Sequence, residues 1–180
     1  MNQFSYFLQD ISRIIGKKKY RLLIVFFTRS FWGLFLYRIE RAGYLIFGRF
    51  YAILRLPFIP FFTLVQSFSN IDIHYKAAIK GGILILHPSV GVVVSGRATI
   101  GQNLTLTGGN VIGFNGNKEN DVFIIGDHCN LGANATVMGP LVLGNSITVG
   151  ASSCVVKSFI TNHLILVGVP AGLLHEAYAK

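Results

Sequence analysis

The sequence predicts a mainly β protein, a parallel β-helix of roughly five coils preceded by a short hydrophobic, basic α-helical region. Three observations support this fold class. Aliphatic residues recur at six-residue intervals through the second half of the chain, glycine follows most of them, and the first 70 residues show neither feature. We therefore expect a helical region at 1–70 and a β-helix domain at 71–180.

The N-terminal region is rich in long apolar side chains and lacks regularly spaced glycines. This composition predicts helices at roughly 5–16 and 20–68, with a break near Pro57 and Pro60. Arg29 and Arg38 fall on opposite sides of a helical wheel, which favours several short helices over one amphipathic rod.

The net charge of +9 is concentrated in the same region, where ten basic residues at 1–60 face only Asp10 and Glu40. The basic residues are interleaved with aliphatic and aromatic side chains, which disfavours nucleic acid as a partner. Such a mixture suits peripheral contact with a membrane surface. Packing of this face against the rest of the protein, or against sister subunits, is the alternative.

The longest charge-free stretch, 56–71, has 16 residues and two prolines, so we expect no clean transmembrane pass. Cys129 and Cys154 form no CxxC pair, which indicates neither a zinc site nor a disulfide framework. Together these features predict a cytoplasmic protein, with contact at the inner face of the cytoplasmic membrane left open.

The six-residue period indicates a solenoid, because it is neither the 3.6 of a helix nor the 2 of a strand. Three six-residue faces would make one triangular coil, with the aliphatic inside and glycine or asparagine supplying a positive φ at the turn. An earlier set has the same period but is offset by three from Val94, which predicts an irregular turn around His87 and Pro88. The recurring residues are Ile73, Ile79 and Ile85, then Ile100, Leu106, Ile112, Ile125, Leu131, Val137, Leu143, Val149 and Val155.

The six-residue period is interrupted between Ile112 and Ile125, where thirteen residues replace the twelve of two repeats. The middle of this segment, 114–121, has no interior aliphatic and predicts a loop that leaves the prism. In a regular solenoid such an excursion is where the wall of a binding site would be built. A tolerated surface insertion is the alternative.

One histidine is a candidate for chemistry, because His87 lies where the six-residue register slips. A structural histidine is the alternative at this point. The region Thr107-Gly108-Gly109 is a candidate oxyanion donor by position only.

Several motifs together resemble the bacterial serine acetyltransferases and their carbohydrate-modifying relatives, which are hexapeptide-repeat acyltransferases. These motifs are Asp72-Ile73-His74, the run 79–83, the run from His87 to Val94, and the ending Val167-Gly168-Val169-Pro170-Ala171. The resemblance covers about residues 71–175. It implies a left-handed parallel β-helix, an acetyl-CoA-dependent O-acetyltransferase without a metal, and a homotrimer.

The resemblance also implies roles for individual residues. His87 would be the general base that deprotonates an acceptor hydroxyl, and Asp72, fifteen residues earlier, would hold and polarise it. The pantetheine arm of acetyl-CoA would lie between adjacent prisms of the trimer. The positions that would hold it are Gly113, Ala133, Ala151, Gly168 and Pro170.

Two departures from serine acetyltransferases bear on the acceptor. Those enzymes have a second active-site histidine in the excursion loop, whereas 117–122 contain none here. Their long acidic helical domain is replaced by a short basic segment. We therefore expect a carbohydrate acceptor, a sugar hydroxyl of a polysaccharide or its precursor. Serine O-acetylation and a non-catalytic β-helix scaffold are the alternatives.

Overall fold

The computed structural model describes residues 2–18, 20–116 and 121–174. The helical region contains several short helices, as the sequence predicts, and Pro57 and Pro60 lie at the break before the last one. The helices are α1 (Gln3–Ile15), α2 (Arg21–Ile24), α3 (Arg29–Phe47), α4 (Tyr51–Leu54) and α5 (Ile59–Ser69). Short 3-10 turns at Val25–Phe27, Gly48–Phe50 and Leu56–Phe58 connect them.

The rest of the described chain consists of short strands. They are β1 (Ile71–Ile73), β2 (Ala78–Ile79), β3 (Leu84–Ile85), β4 (Val92–Val94), β5 (Thr99–Ile100), β6 (Thr105–Leu106), β7 (Asn110–Phe114), β8 (Phe123–Ile125), β9 (Asn130–Leu131), β10 (Thr136–Gly139), β11 (Leu141–Leu143), β12 (Thr148–Val149), β13 (Cys154–Val155), β14 (Ile165–Val167) and β15 (Gly172–Leu173). A 3-10 turn at Pro88–Val90 separates β3 from β4.

The strands form the three faces of a prism, which confirms the predicted parallel β-helix. The first face contains β1, β4, β7, β10 and β13, the second contains β2, β5, β8 and β11, and the third contains β3, β6, β9, β12 and β14. Strand β15 ends the third face by pairing antiparallel with β14. Because the second face has four strands, four coils are complete on all sides, somewhat fewer than the roughly five predicted.

The predicted aliphatic ladder forms the core of the prism. Each of its twelve members is buried, from Ile73 in the first coil to Val155 in the last. Burying one such side chain stabilises the fold by about 1.5–3 kcal/mol, so the ladder is the main favourable term. The small residues four positions further on, Cys129, Ala135 and Ser153, are buried at the corners.

The role predicted for the glycines that follow the ladder is wrong. A positive φ is needed two positions later, at residues such as Asn103, with φ 60°, and Asn134, with φ 57°. The glycines are required because neighbouring coils touch. A Cβ on Gly126 would lie 2.4 Å from the carbonyl oxygen of Gly144 in the next coil.

The strand register shows where residues are inserted. Val94 pairs with Ile112, an interval of 18 residues, whereas Ile71 pairs with Val92, an interval of 21. The turn at Pro88–Val90 supplies the extra three, which explains the offset seen in the sequence.

The second insertion is larger than predicted. Residues Ile112 and Ile125 lie on adjacent faces, because β7 belongs to the first face and β8 to the second. Thirteen residues therefore replace the six of one repeat rather than the twelve of two. The sequence conceals this, because an insertion of seven residues is only one residue longer than a whole repeat.

The helices and the β-helix form one packed unit. Leu34 and Tyr37 of α3 belong to the same buried core as the ladder. The Tyr37 hydroxyl donates to the Ala77 carbonyl oxygen at 2.9 Å and accepts from the Ile79 N–H at 3.2 Å. The helical region thus covers the end of the prism formed by the first coil.

Candidate active site

The candidate site lies along the edge where the third face of the prism turns into the first, which we call the site edge. It comprises residues 86–91, 107–109, 132–134, 150–152 and 168–170, one group from each successive coil. Backbone hydrogen bonds stack these groups. The Asn134 N–H donates to Gly108 at 2.9 Å, and the Ser152 N–H donates to Ala133 at 2.8 Å.

His87 occupies the first group of the site edge, immediately before the turn at Pro88–Val90, and its side chain is exposed. Its backbone N–H donates to the Thr107 carbonyl oxygen at 2.9 Å. Gly108 lies directly over it, and a Cβ there would come within 2.4 Å of the His87 carbonyl oxygen. The backbone of the histidine is therefore fixed while its imidazole remains accessible.

Sequence reasoning missed Asn110, which holds the site edge above His87. It is 1% exposed and occupies the inward position that Val92 takes in the coil below. Its side chain accepts from the Gly108 N–H at 2.9 Å and donates to the Gly132 carbonyl oxygen at 2.7 Å. An asparagine at an apolar strand position was the available signal.

The candidate oxyanion donors at 107–109 are already occupied. The Thr107 N–H donates to Leu131 at 3.0 Å, and the Gly109 N–H donates to Gly91 at 2.7 Å. The Gly108 N–H is bound by Asn110. The geometry therefore does not support this segment as the oxyanion site.

The structure does not join Asp72 to His87. Asp72 lies on the outer side of β1, in the middle of the first face, whereas His87 lies at the edge. Its carboxylate accepts a hydrogen bond from Gln66 at 3.3 Å, and within the described chain no hydrogen bond links it to the His87 ring. Asp72 does line a shallow cavity together with residues 89–93, which follow His87 in the chain.

Asp72 also lines a cavity of about 230 Å³ together with His74. The His74 ring stacks on Tyr75 with centroids 4.5 Å apart, and its Nδ1 accepts the Lys76 N–H at 3.1 Å. Burial and nearby positive charges lower the pKa of His74, so it is neutral near pH 7.

Four of the five predicted cofactor positions lie on the site edge with His87. They are Ala133, Ala151, Gly168 and Pro170, and small side chains there let a thin ligand approach the main chain. Among the described residues, the Ala133 and Ala151 N–H groups donate to no protein acceptor. With coils about 4.8 Å apart, the edge from His87 to Gly168 is about 19 Å long.

Gly113, the fifth position, lies apart from this edge. It is on the first face in β7, where a Cβ would meet the Met138 sulfur at 2.8 Å. Because this sulfur lies at the flexible end of the Met138 side chain, a small shift of that side chain would relieve the contact.

The predicted excursion loop leaves the prism between β7 and β8. The rings of Phe114 and Phe123 close its base with centroids 5.9 Å apart, and the Arg97 guanidinium lies 5.0 Å from the Phe114 ring. Positions 117–120 of the predicted loop 114–121 lie outside the described residues, and its binding role stays a prediction.

A cavity of about 490 Å³ adjoins the site edge on its helical side. Leu86, Pro88 and Ser89, the residues around His87, form one wall, and Arg21 and Arg29 contribute the positive charges. In the part of the chain that the structure describes, no group of three or more histidine, cysteine or acidic side chains could hold a metal ion.

The chain is similar to several serine acetyltransferases in sequence and in fold. No protein-family model matches the chain. Serine acetyltransferase 4 of Arabidopsis thaliana is 36% identical over 111 residues, which cover 61% of this chain and 31% of the relative. The soybean serine acetyltransferase apoenzyme structure aligns over 96% of this chain and 69% of its own, with a TM-score of 0.74 and 27% identity. The chain has the hexapeptide-repeat β-helix fold and resembles the serine acetyltransferases.

A third alignment is to a serine acetyltransferase solved in complex with CoA, with a TM-score of 0.74, 19% identity, and coverage of 96% of this chain and 69% of the other. The serine acetyltransferase fold thus includes the helical region of this chain. The chain spans about a third to a half of the length of the curated relatives it matches.

These comparisons contradict the predicted sugar acceptor. The relatives and solved structures are named serine acetyltransferases, which was the alternative interpretation. The prediction gave too much weight to the missing loop histidine and to the basic helical segment.

Proposed function

We propose that this chain transfers an acetyl group from acetyl-CoA to the hydroxyl of serine. The observation on which the proposal rests is that His87 shares one edge of a serine acetyltransferase-like prism with a column of small residues. The exposed imidazole and the approachable main chain are thereby aligned along one ligand path.

In the proposed reaction, the serine hydroxyl oxygen attacks the thioester carbonyl carbon while His87 takes the hydroxyl proton. A neutral imidazole suits this step because its unprotonated ring nitrogen can accept the proton. The tetrahedral intermediate then expels the CoA thiolate, which takes the proton back from the imidazolium. The products are O-acetylserine and CoA, and the imidazole is neutral again.

The cavity beside His87 suits an amino-acid acceptor. Arg21 and Arg29 line it, and an arginine guanidinium can bind a carboxylate with two parallel hydrogen bonds. The serine carboxylate would lie against these cations, with its hydroxyl directed toward His87.

The acetyl donor would lie along the site edge. The N–H groups of Ala133 and Ala151 would donate to the amide oxygens of the pantetheine arm. A homotrimer would complete this path, because the groove between two adjacent prisms covers a ligand that one convex edge leaves open to solvent. The trimer and acetyl-CoA are thus parts of the same proposal.

The test is thiol release from acetyl-CoA on addition of L-serine. We expect His87→Ala to lower kcat by 10²-fold or more, because general-base catalysis contributes about 10²–10⁴-fold. The matched control is His163→Asn, since His163 is an exposed corner residue with φ 58° that asparagine also tolerates. Full activity of the His87 variant, or no serine-dependent thiol release by the wild type, would refute the proposal.

A further inference from the structure

The helical region exposes an unusually large apolar surface. Leu23 is 77% exposed and Phe27 is 83% exposed, whereas Val25 between them is buried. We call the following set the helical apolar surface: Leu22, Leu23, Ile24, Phe26, Phe27, Ile46, Phe47, Phe50, Ile53, Leu54, Phe58, Phe61, Leu64 and Phe68. Contiguous apolar patches of this kind mark an interaction site.

The parts of this surface are connected through α5. Phe61, Leu64 and Phe68 are spaced at i, i+3 and i+7, so they share the outer side of the helix, whereas Phe62 is buried. The Arg29 guanidinium lies 5.9 Å from the Phe68 ring, which brings the end of α5 beside the start of α3. The outer side of α5 therefore reaches the segment around residue 27.

Among the described residues of 1–70, the accessible charged side chains are all positive. The two acidic side chains of residues 1–70 are buried, Asp10 against Arg38 at 2.8 Å and Glu40 against Arg55 at 2.7 Å. The cations that remain exposed include Lys17, Lys18, Arg21, Arg29 and Arg49. The lysines directly precede α2, the most exposed apolar segment.

This charge pattern distinguishes between two partners that an apolar surface could bind, a second copy of the chain and a lipid bilayer. A second copy of the chain in a two-fold contact would bring the cations of both copies into one interface, since such an interface uses the same patch of each copy. An anionic bilayer is complementary in charge and takes apolar side chains below its head groups.

The helix lengths indicate a contact in the plane of the bilayer. Within the described residues no single helix is long and apolar enough to cross a membrane, and only the pair Arg21–Phe27 and Arg29–Leu54, bent by 70°, meets the length and composition limits together. The buried Arg38 within that pair is engaged by the first coil, at 2.8 Å from the Ile79 carbonyl oxygen.

We propose that the helical apolar surface docks the protein on the surface of an anionic lipid bilayer, with the lysines before α2 among the phosphate head groups. The residues substituted in the test below do not line the cavity proposed for serine, although Ile24, Arg21 and Arg29 lie at the border of both surfaces. This docking would place the β-helix on the solvent side of the helices, because the helices cover the first coil.

The experiment is flotation of the full chain with vesicles, either phosphatidylcholine alone or a mixture with phosphatidylglycerol. One variant removes apolar contact, Leu23→Ser with Phe27→Ser, and a second removes charge, Lys17→Gln with Lys18→Gln. The control variants are Ile160→Ser with Val156→Ser, which are exposed on the β-helix, and Lys157→Gln. Circular dichroism and the oligomeric mass are measured for every variant.

We expect the wild type to float with anionic vesicles and much less with neutral ones. Each lysine removed should lower partitioning roughly fivefold, and the apolar variant should lose flotation at unchanged mass. The control variants should float like the wild type. Equal flotation with neutral vesicles, no flotation at all, or an apolar variant that changes only the oligomeric mass would overturn the proposal.

Discussion

Asp10 shows how one buried charge can connect the helices to the solenoid. Its Oδ1 accepts the N–H groups of Gly82 and Ile83, each at 2.7 Å, and Arg38 donates to Oδ2 at 2.8 Å. Burial raises the pKa of Asp10, while the hydrogen bonds from Arg38 and from the two backbone groups act in the opposite direction. The sequence predicts that Asp10 lies on a helix. It does not predict the hydrogen bonds to Gly82 and Ile83, because these residues are 72 and 73 positions away and are brought close only by tertiary packing.

Removing the Asp10 carboxylate should strongly destabilise the protein. We expect Asp10→Ala to lower the free energy of unfolding by about 3–5 kcal/mol, because Arg38 would remain buried without its counter-ion. Urea unfolding measures the change. The control is Lys80→Met, which removes the exposed Lys80–Asp127 pair at 3.6 Å and should cost less than about 1 kcal/mol. Equal losses in the two variants would contradict the prediction.

A second test at the level of single residues asks whether Asp72 acts together with His87. Because its carboxylate contacts Gln66 rather than the His87 ring, Asp72→Asn should lower kcat only about tenfold, against 10²-fold or more for His87→Ala. Steady-state kinetics of serine-dependent thiol release measure both. A loss as large as that of the histidine variant would show that the pair implied by the resemblance forms in the working enzyme.

At the level of the element, the coil was predictable because its period follows from the chain alone. Every aliphatic of the predicted ladder is buried, and the asparagines at the turns have the expected positive φ. The reason why glycine follows many ladder residues was not predictable, because it depends on how closely neighbouring coils approach each other. Corner side chains also link the coils, since the Asp127 N–H donates to Asn145 at 2.8 Å and the Asn145 N–H to Asn162 at 2.7 Å.

The stacked glycines should tolerate no side chain. We expect Gly126→Ala to cost about 1–3 kcal/mol of unfolding free energy, because the new methyl group would overlap the backbone of Gly144. Gly172→Ala is the matched control, because nothing lies within 4 Å of a Cβ at that strand position. Chemical denaturation that gives the same midpoint for both variants would refute the steric account.

At the level of the whole molecule, the helices cover the end of the prism, where the first coil has no further coil beside it. Arg38 donates to the Lys80 carbonyl oxygen at 2.8 Å, and Ser30 donates to the Ile85 carbonyl oxygen at 2.9 Å. Open ends of β-solenoids need such a cover, because unpaired strand edges invite other strands. The sequence predicts a helical and a β region but does not show that they share one core, because a helical wheel does not identify the partner of its apolar side.

This cover should be visible in hydrogen exchange. We expect the Gly82 and Ile83 amides, at the end of the prism, to exchange as slowly as those of the central coils, because Asp10 holds both of them in a buried site. Exchange measured by mass spectrometry on the intact chain tests this. Exchange of these two amides within seconds would show that the helices dissociate readily from the first coil.

The insertion between Ile112 and Ile125 has a consequence for engineering. The coil resumes its register on both sides of it, as Ile112 pairs with Val137 and Ile125 pairs with Leu143. Phe114 and Phe123 fasten its two ends together. Exchanging the length or composition of the segment between these two rings should therefore leave the prism and the position of His87 unchanged.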